Sequence, residues 1–213
     1  MQGNSVAVLV AAFTAVSAVD AGVFSYSNRS LEAGITDGFT SQSATDFGFD
    51  PWFGSSDETR PGLIQFAGIG SSLSADQFTV SANVALAAST PGYADYAAFS
   101  NFALNFSLAE ESFVTFFIDL GTASPEGAVI LLECVGPEGV LFSYPQPSAT
   151  TFVRTLAAGQ YFMVGSIAIV APSEGTLLNS GLLSVAANAV AVPAPAVVAV
   201  FGAFGLLGSR RRR

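Results

Sequence analysis

QFTVSANVAL, residues 77 to 86, and NFALNFSL, residues 101 to 108, decide the fold class. In the first, Phe78, Val80, Ala82, Val84 and Leu86 fall on one side of an extended chain, and Thr79, Ser81, Asn83 and Ala85 on the other. In the second, Phe102, Leu104, Phe106 and Leu108 alternate with Asn101, Asn105 and Ser107. Successive side chains of a strand point to opposite faces, so this period of two predicts half-buried β-strands.

Working outward, FVTFFIDL (113–120) and AVILLECV (128–135) are more continuously apolar, which predicts strands covered on both faces. Gly136-Pro137-Glu138-Gly139 reads as a tight turn into VLFSY. TTFVRTL (150–156) precedes Ala157-Ala158-Gly159, and QYFMVGSIAIV is expected to follow as its partner strand. The segment LAAGQYFMVGS resembles the closing hairpin of secreted sandwich modules, including prepeptidase C-terminal-like ones. GLLSVAANAV (181–190) ends the domain, and VFSYS near residue 23 and LIQF at 63 add two more strands. About eight to ten strands separated by Gly, Pro and Ser turns, with no amphipathic helix of useful length, predict an all-β, antiparallel sandwich over residues 22–190, of jelly-roll or immunoglobulin-like type.

Composition narrows the chemistry. The 213 residues carry 7 Arg and no Lys or His against 16 acids, a net charge of -9. Such a body repels phosphate backbones, which excludes nucleic acid as a partner. Without His, Ser-His and Cys-His nucleophiles and imidazole metal sites cannot be built. Without Lys, P-loops, Schiff bases and kinase clamps fail as well. Carboxylate pairs for glycosidase chemistry remain available from Asp57, Glu58, Glu110, Glu111 and Glu133, but nothing in their spacing brings two together, and the expectation is a non-enzyme with no cofactor. Cys134 is the single cysteine, so it forms no intrachain disulfide and reads as a small buried hydrophobe.

Both ends carry address signals. Ser5 to Ala18 is an apolar stretch of signal-peptide length, with Val16 and Ala18 suited to the minus-three and minus-one positions, so cleavage is expected after Ala18, with Ala21 as second candidate. MQGNS lacks the basic residues that usually begin such a signal. At the other end, Ala196 to Gly208 has no polar side chain. As a helix it would reach about 20 Å at 1.5 Å per residue, short of a bilayer core of about 30 Å. Arg210, Arg211, Arg212 and Arg213 follow, and the positive-inside rule keeps them in the cytoplasm with the acidic body outside.

The order Val192-Pro193-Ala194-Pro195, then a short apolar helix, then an Arg cluster resembles the PEP-CTERM sorting signal of bacterial exosortase substrates. Ala194 stands where that family usually has Glu. The resemblance implies export by the secretion machinery, transient anchoring by the C-terminal helix, and recognition of the tail (192–213) by an exosortase, an integral-membrane protease or transpeptidase that delivers the body to the envelope or matrix. A plain single-pass membrane anchor is the competing reading of the tail.

DFGFDPWFG (46–54) is the loop of most interest for binding. Asp46 and Asp50 could offer oxygen ligands to Ca²⁺, while Trp52 and Phe53 could present rings to a sugar, as in a carbohydrate-binding module. Alternatively, the aromatics plug one end of the sandwich and the acids cap turns, a reading favoured by the lack of a dense Asp/Asn/Gly calcium loop. The sequence thus points to an exported surface or extracellular-matrix protein with a structural or binding role, extracellular polysaccharide being one candidate partner.

Overall fold

The computed structural model describes residues 23–37, 40–88, 96–124, 127–171 and 177–192. The expected signal segment (1–18), Pro193, Ala194, Pro195, the expected apolar helix and Arg210 to Arg213 lie outside the described residues. Twelve strands and no helix are present among the described residues. They are β1 (Phe24–Thr36), β2 (Ser41–Asp46), β3 (Trp52–Arg60), β4 (Leu63–Leu73), β5 (Gln77–Ala88), β6 (Ala97–Leu108), β7 (Ser112–Thr122), β8 (Ala128–Gly136), β9 (Gly139–Tyr144), β10 (Ser148–Leu156), β11 (Gly159–Val170) and β12 (Leu177–Ala191).

Two six-stranded antiparallel sheets face each other, in the orders β2-β1-β6-β11-β8-β9 (sheet I) and β10-β7-β12-β5-β4-β3 (sheet II). From β5 onward the pairing is nested: β5 bonds β12, β6 bonds β11, β7 bonds β10 and β8 bonds β9. That is a long hairpin centred on the β8–β9 turn and rolled so that its arms alternate between sheets, the strand order of a jelly roll. An immunoglobulin-like sandwich keeps several consecutive strands paired as hairpins; within β5–β12 only β8–β9 does so. Strands β1–β4 extend the two sheets, β1 and β2 beside β6, β3 and β4 beside β5.

The alternation expected of β5 and β6 is present. Phe78, Val80, Ala82, Val84, Leu86, Phe102, Leu104, Phe106 and Leu108 are all buried, and the intervening residues are not. Phe24, Phe78 and Phe106 meet with ring centroids 5.4 Å apart, and Phe106 stacks on Tyr161 at 5.2 Å, which ties β1, β5, β6 and β11 together at one end. Phe116, Phe142 and Phe152 form a second cluster linking β7, β9 and β10. The β8–β9 turn has the expected form: Gly136 pairs with Gly139, whose φ of +109° suits a residue without Cβ. Cys134 is buried, and burial first, then Glu133, pushes its thiol pKa up to about 12, so it stays protonated and inert.

Three expectations are corrected. β7 and β8 are not covered on both faces: Phe113 and Phe117 are 45% and 43% exposed, and Val129 is 60% exposed. Their outer faces are apolar without being enclosed. β10 and β11 are not a hairpin, since β10 is the edge of sheet II and β11 a central strand of sheet I; Ala157 to Gly159 carries the chain between sheets. β2 and β3 supply two strands beyond the expected ten. Their polar sequences, SQSATD and WFGSSDETR, lack an apolar face because each is an edge strand bounded by solvent.

Phe106 sits where three rings converge. Phe106→Ala is expected to destabilise the domain by about 3–5 kcal/mol, a large part of a typical 5–15 kcal/mol total. Urea unfolding followed by Trp52 fluorescence measures it.

Candidate functional site

The candidate loop is organised by a residue that the sequence reading passed over, Arg29. The inward positions of β1 run Phe24, Tyr26, then Arg29, Leu31, Ala33 and Ile35. Strict alternation from Phe24 would turn Asn28, Ser30 and Glu32 inward. The register against β6 shifts between Tyr26 and Asn28, and this bulge at Ser27 exchanges the two faces of the strand. Leu31, Ala33 and Ile35 gain the core by it, and Arg29 enters with them, 1% exposed.

A buried guanidinium requires compensation. Asp46, at the end of β2, pairs with Arg29 Nη2. Nη1 donates to the Asp50 carbonyl at 2.9 Å and to Ser71 Oγ at 2.7 Å, while Nε has no partner. Gly48 lies over the pair, where an added Cβ would stand 3.5 Å from Asp46 Oδ1. The loop is thus pinned through Asp46 and the Asp50 backbone, linking sheet I to the start of β3 in sheet II.

The expected site residues therefore do not form one constellation. Asp46 is engaged by Arg29, and Asp50 is held by its carbonyl with its side chain exposed. No group of three metal-ligating side chains occurs among the described residues. Trp52 and Phe53 open β3 and, as neighbours in a strand, face opposite ways. Trp52 packs against the core with its ring over Gly54 and towards Ala44, whereas Phe53 lies outward, 65% exposed, across Gly68 and Gly70 of β4. They cannot make a flat aromatic strip together. Of the two, Phe53 is the one presented to solvent as a platform.

The carboxylates named as candidate acids are scattered. Asp57 and Glu58 lie on edge strand β3, Glu133 on β8 in the other sheet, and Glu110 and Glu111 on the β6–β7 connection. An open groove on sheet II, about 470 Å³, is lined by Phe117, Asp119, Thr151, Ser184 and Ala186. Sequence reasoning missed it because the mostly apolar FVTFFIDL reads as covered on both faces; the signal was Asp119, a charge two positions beyond Phe117 and therefore on the same, outward face.

No protein-family model matches the chain, and no curated protein matches it. Among solved structures it is similar to the enzymatically active domain of tailspike protein 4 of bacteriophage CBA120, at 9% identity and a TM-score of 0.23 over 65% of this chain and 19% of that one. It is also similar to the GH31 α-xylosidase of Xanthomonas citri, at 9% identity and a TM-score of 0.22 over 78% of this chain and 28% of that one. The chain thus spans under a third of the length of either, and likeness at this level carries no functional argument.

Removing the two partners of the buried pair should have unequal effects. Asp46→Ala strands a buried guanidinium and is expected to cost about 3–5 kcal/mol. Arg29→Met leaves Asp46, 22% exposed, to be solvated, and should cost only about 1–2 kcal/mol. In denaturant titrations the double variant should lie close to Arg29→Met alone.

Proposed function

We propose that the chain is an exported surface or extracellular-matrix protein, sorted by an exosortase through its C-terminal tail and acting by structure or binding rather than catalysis. The observation that carries this reading is the ordered tail of Val192, Pro193, Ala194 and Pro195, the apolar run to Gly208, and Arg210 to Arg213. An apolar segment too short for a comfortable span, stopped by four guanidinium groups, suits transient residence in a membrane. Among the described residues the last strand, β12, ends at Ala191, and the Val192 N–H donates to the Glu111 carbonyl at 2.9 Å. Cleavage beyond Val192 would take no strand from either sheet.

Export fits the body as well. With the terminal Arg cluster set aside, three cations face 16 acids, a surface soluble outside the cell and repelled by anionic headgroups. A large aromatic core and a single inert thiol make the fold independent of disulfides.

Intact-mass analysis of the protein exported by an exosortase-bearing host is the test. Loss of residues 1–18 and of Arg210 to Arg213, with the Arg cluster retained when the exosortase is deleted, is the expected result. Exported or membrane-held material that keeps Arg210 to Arg213 in both strains would establish the permanent single-pass anchor instead.

A further inference from the structure

We infer that the outer face of sheet II is a linear binding track for an extended, uncharged polysaccharide, with Phe117 and Phe53 as its aromatic platforms. The strand registers place Ala149, Asp119, Ser184, Ser81, Gly70 and Phe53 in one unbroken row across all six strands. The residues before and after most of these point into the core, as Ile118, Leu120, Val185, Val80 and Ile69 do, so the row faces outward. In the adjoining row Phe117 sits between Thr151 and Ala186.

Three features define the ligand. The first is a ring in a bed of small residues. Phe117 is 43% exposed beside Thr151, Ser184 and Ala186 in the groove of about 470 Å³, so no large neighbour covers its face. At the far edge Phe53 is 65% exposed, its ring across Gly68 and Gly70. Such rings suit the apolar C–H faces of a pyranose, while Asp119, Thr151, Ser184 and Ser81 supply acceptors and hydroxyls for sugar O–H groups.

The second feature is length. Phe117 and Phe53 lie on β7 and β3, four strand spacings apart, or roughly 19 Å at about 4.8 Å per spacing. A monosaccharide cannot reach both rings, whereas an extended polymer lying across the strands can. The third is charge. Asp119 is the only ionisable residue in this row or in the groove. An acidic polymer would find no cation there and would meet a chain with a net charge of -9. The track therefore selects neutral chains.

The inference takes only its extracellular setting from the proposed function, and the two fail separately. Correct tail removal without polysaccharide binding sinks the track alone, while binding by a chain whose tail is never removed sinks the sorting alone. The full chain, purified in detergent, is tested by depletion binding on cellulose, curdlan, amylose and mannan, with alginate as the acidic control. Retention on at least one neutral polymer is expected, with weaker retention on alginate. Phe117→Ala and Phe53→Ala should each weaken it by about three- to tenfold, Phe117→Tyr should preserve it, and Val129→Ser on sheet I should leave it unchanged. Far-UV circular dichroism melts confirm that each variant is folded. Failure to bind any neutral polymer, equal binding of alginate, or indifference to both Phe substitutions would overturn the inference. So would sedimentation showing a dimer that Phe117→Ala dissociates in a chain that binds no glycan, since the face would then belong to a second copy.

Discussion

Each strand must present an apolar face to the dry interior between the two sheets, and the rest of the structure follows from that constraint. Where the alternation holds its phase, as in β5 and β12, strands lie at the centre of their sheet. Where it breaks, in β1, the backbone absorbs one extra residue at Ser27 so that Leu31, Ala33 and Ile35 still reach the core. Slipping a strand by one residue would exchange every inward side chain for its polar neighbour, so the bulge is the lesser cost. Arg29 is carried inside as a consequence, and Asp46, Ser71 and the Asp50 carbonyl answer it.

Two kinds of contact join the sheets across the interior. Around β7, β9 and β10 the contact between sheets is aromatic, through Phe116, Phe142 and Phe152. Between β1 or β6 and β3 or β4 it is stitched by hydrogen bonds: Ser56 Oγ to the Ala33 carbonyl at 3.1 Å, Gln65 Nε2 to the Thr36 and Ala97 carbonyls at 3.1 and 3.2 Å, and Ser100 Oγ to the Gly68 carbonyl at 3.3 Å. Directional bonds fix the added strands to one another and, through Ala97 and Ser100 of β6, to the rolled hairpin.

The sandwich was legible in the sequence wherever one face is buried and the other wet, because alternation then records burial directly; β5 and β6 are of this kind. β2 and β3 were not, since edge strands with polar sequences hardly differ from loops. The exposure of Phe113 and Phe117 was hidden too, because an apolar residue on an open face and one on a covered face look alike in sequence. Arg29 could have been found from the change of phase between Tyr26 and Leu31, which forces a bulge and turns the intervening cation inward. The partition between sheets was beyond reach: nothing in TTFVRTL and QYFMVGSIAIV says that they belong to different sheets, as that is decided by the nesting of strands distant in sequence. Within the candidate loop, nothing in the residue types says that strand geometry sends Trp52 and Phe53 to opposite faces.

The account rests on a single dry interior reached by alternate residues, and the neighbours Phe116 and Phe117 probe it most directly, being 0% and 43% exposed. Hydroxyl-radical footprinting of the native chain, read residue by residue, should modify Phe117, Phe113 and Phe162 while sparing Phe116, Phe106 and Phe78. Equal protection of Phe116 and Phe117 would mean that β7 is covered on both faces, and equal modification would mean that the two sheets do not enclose it; either result would contradict the fold described above.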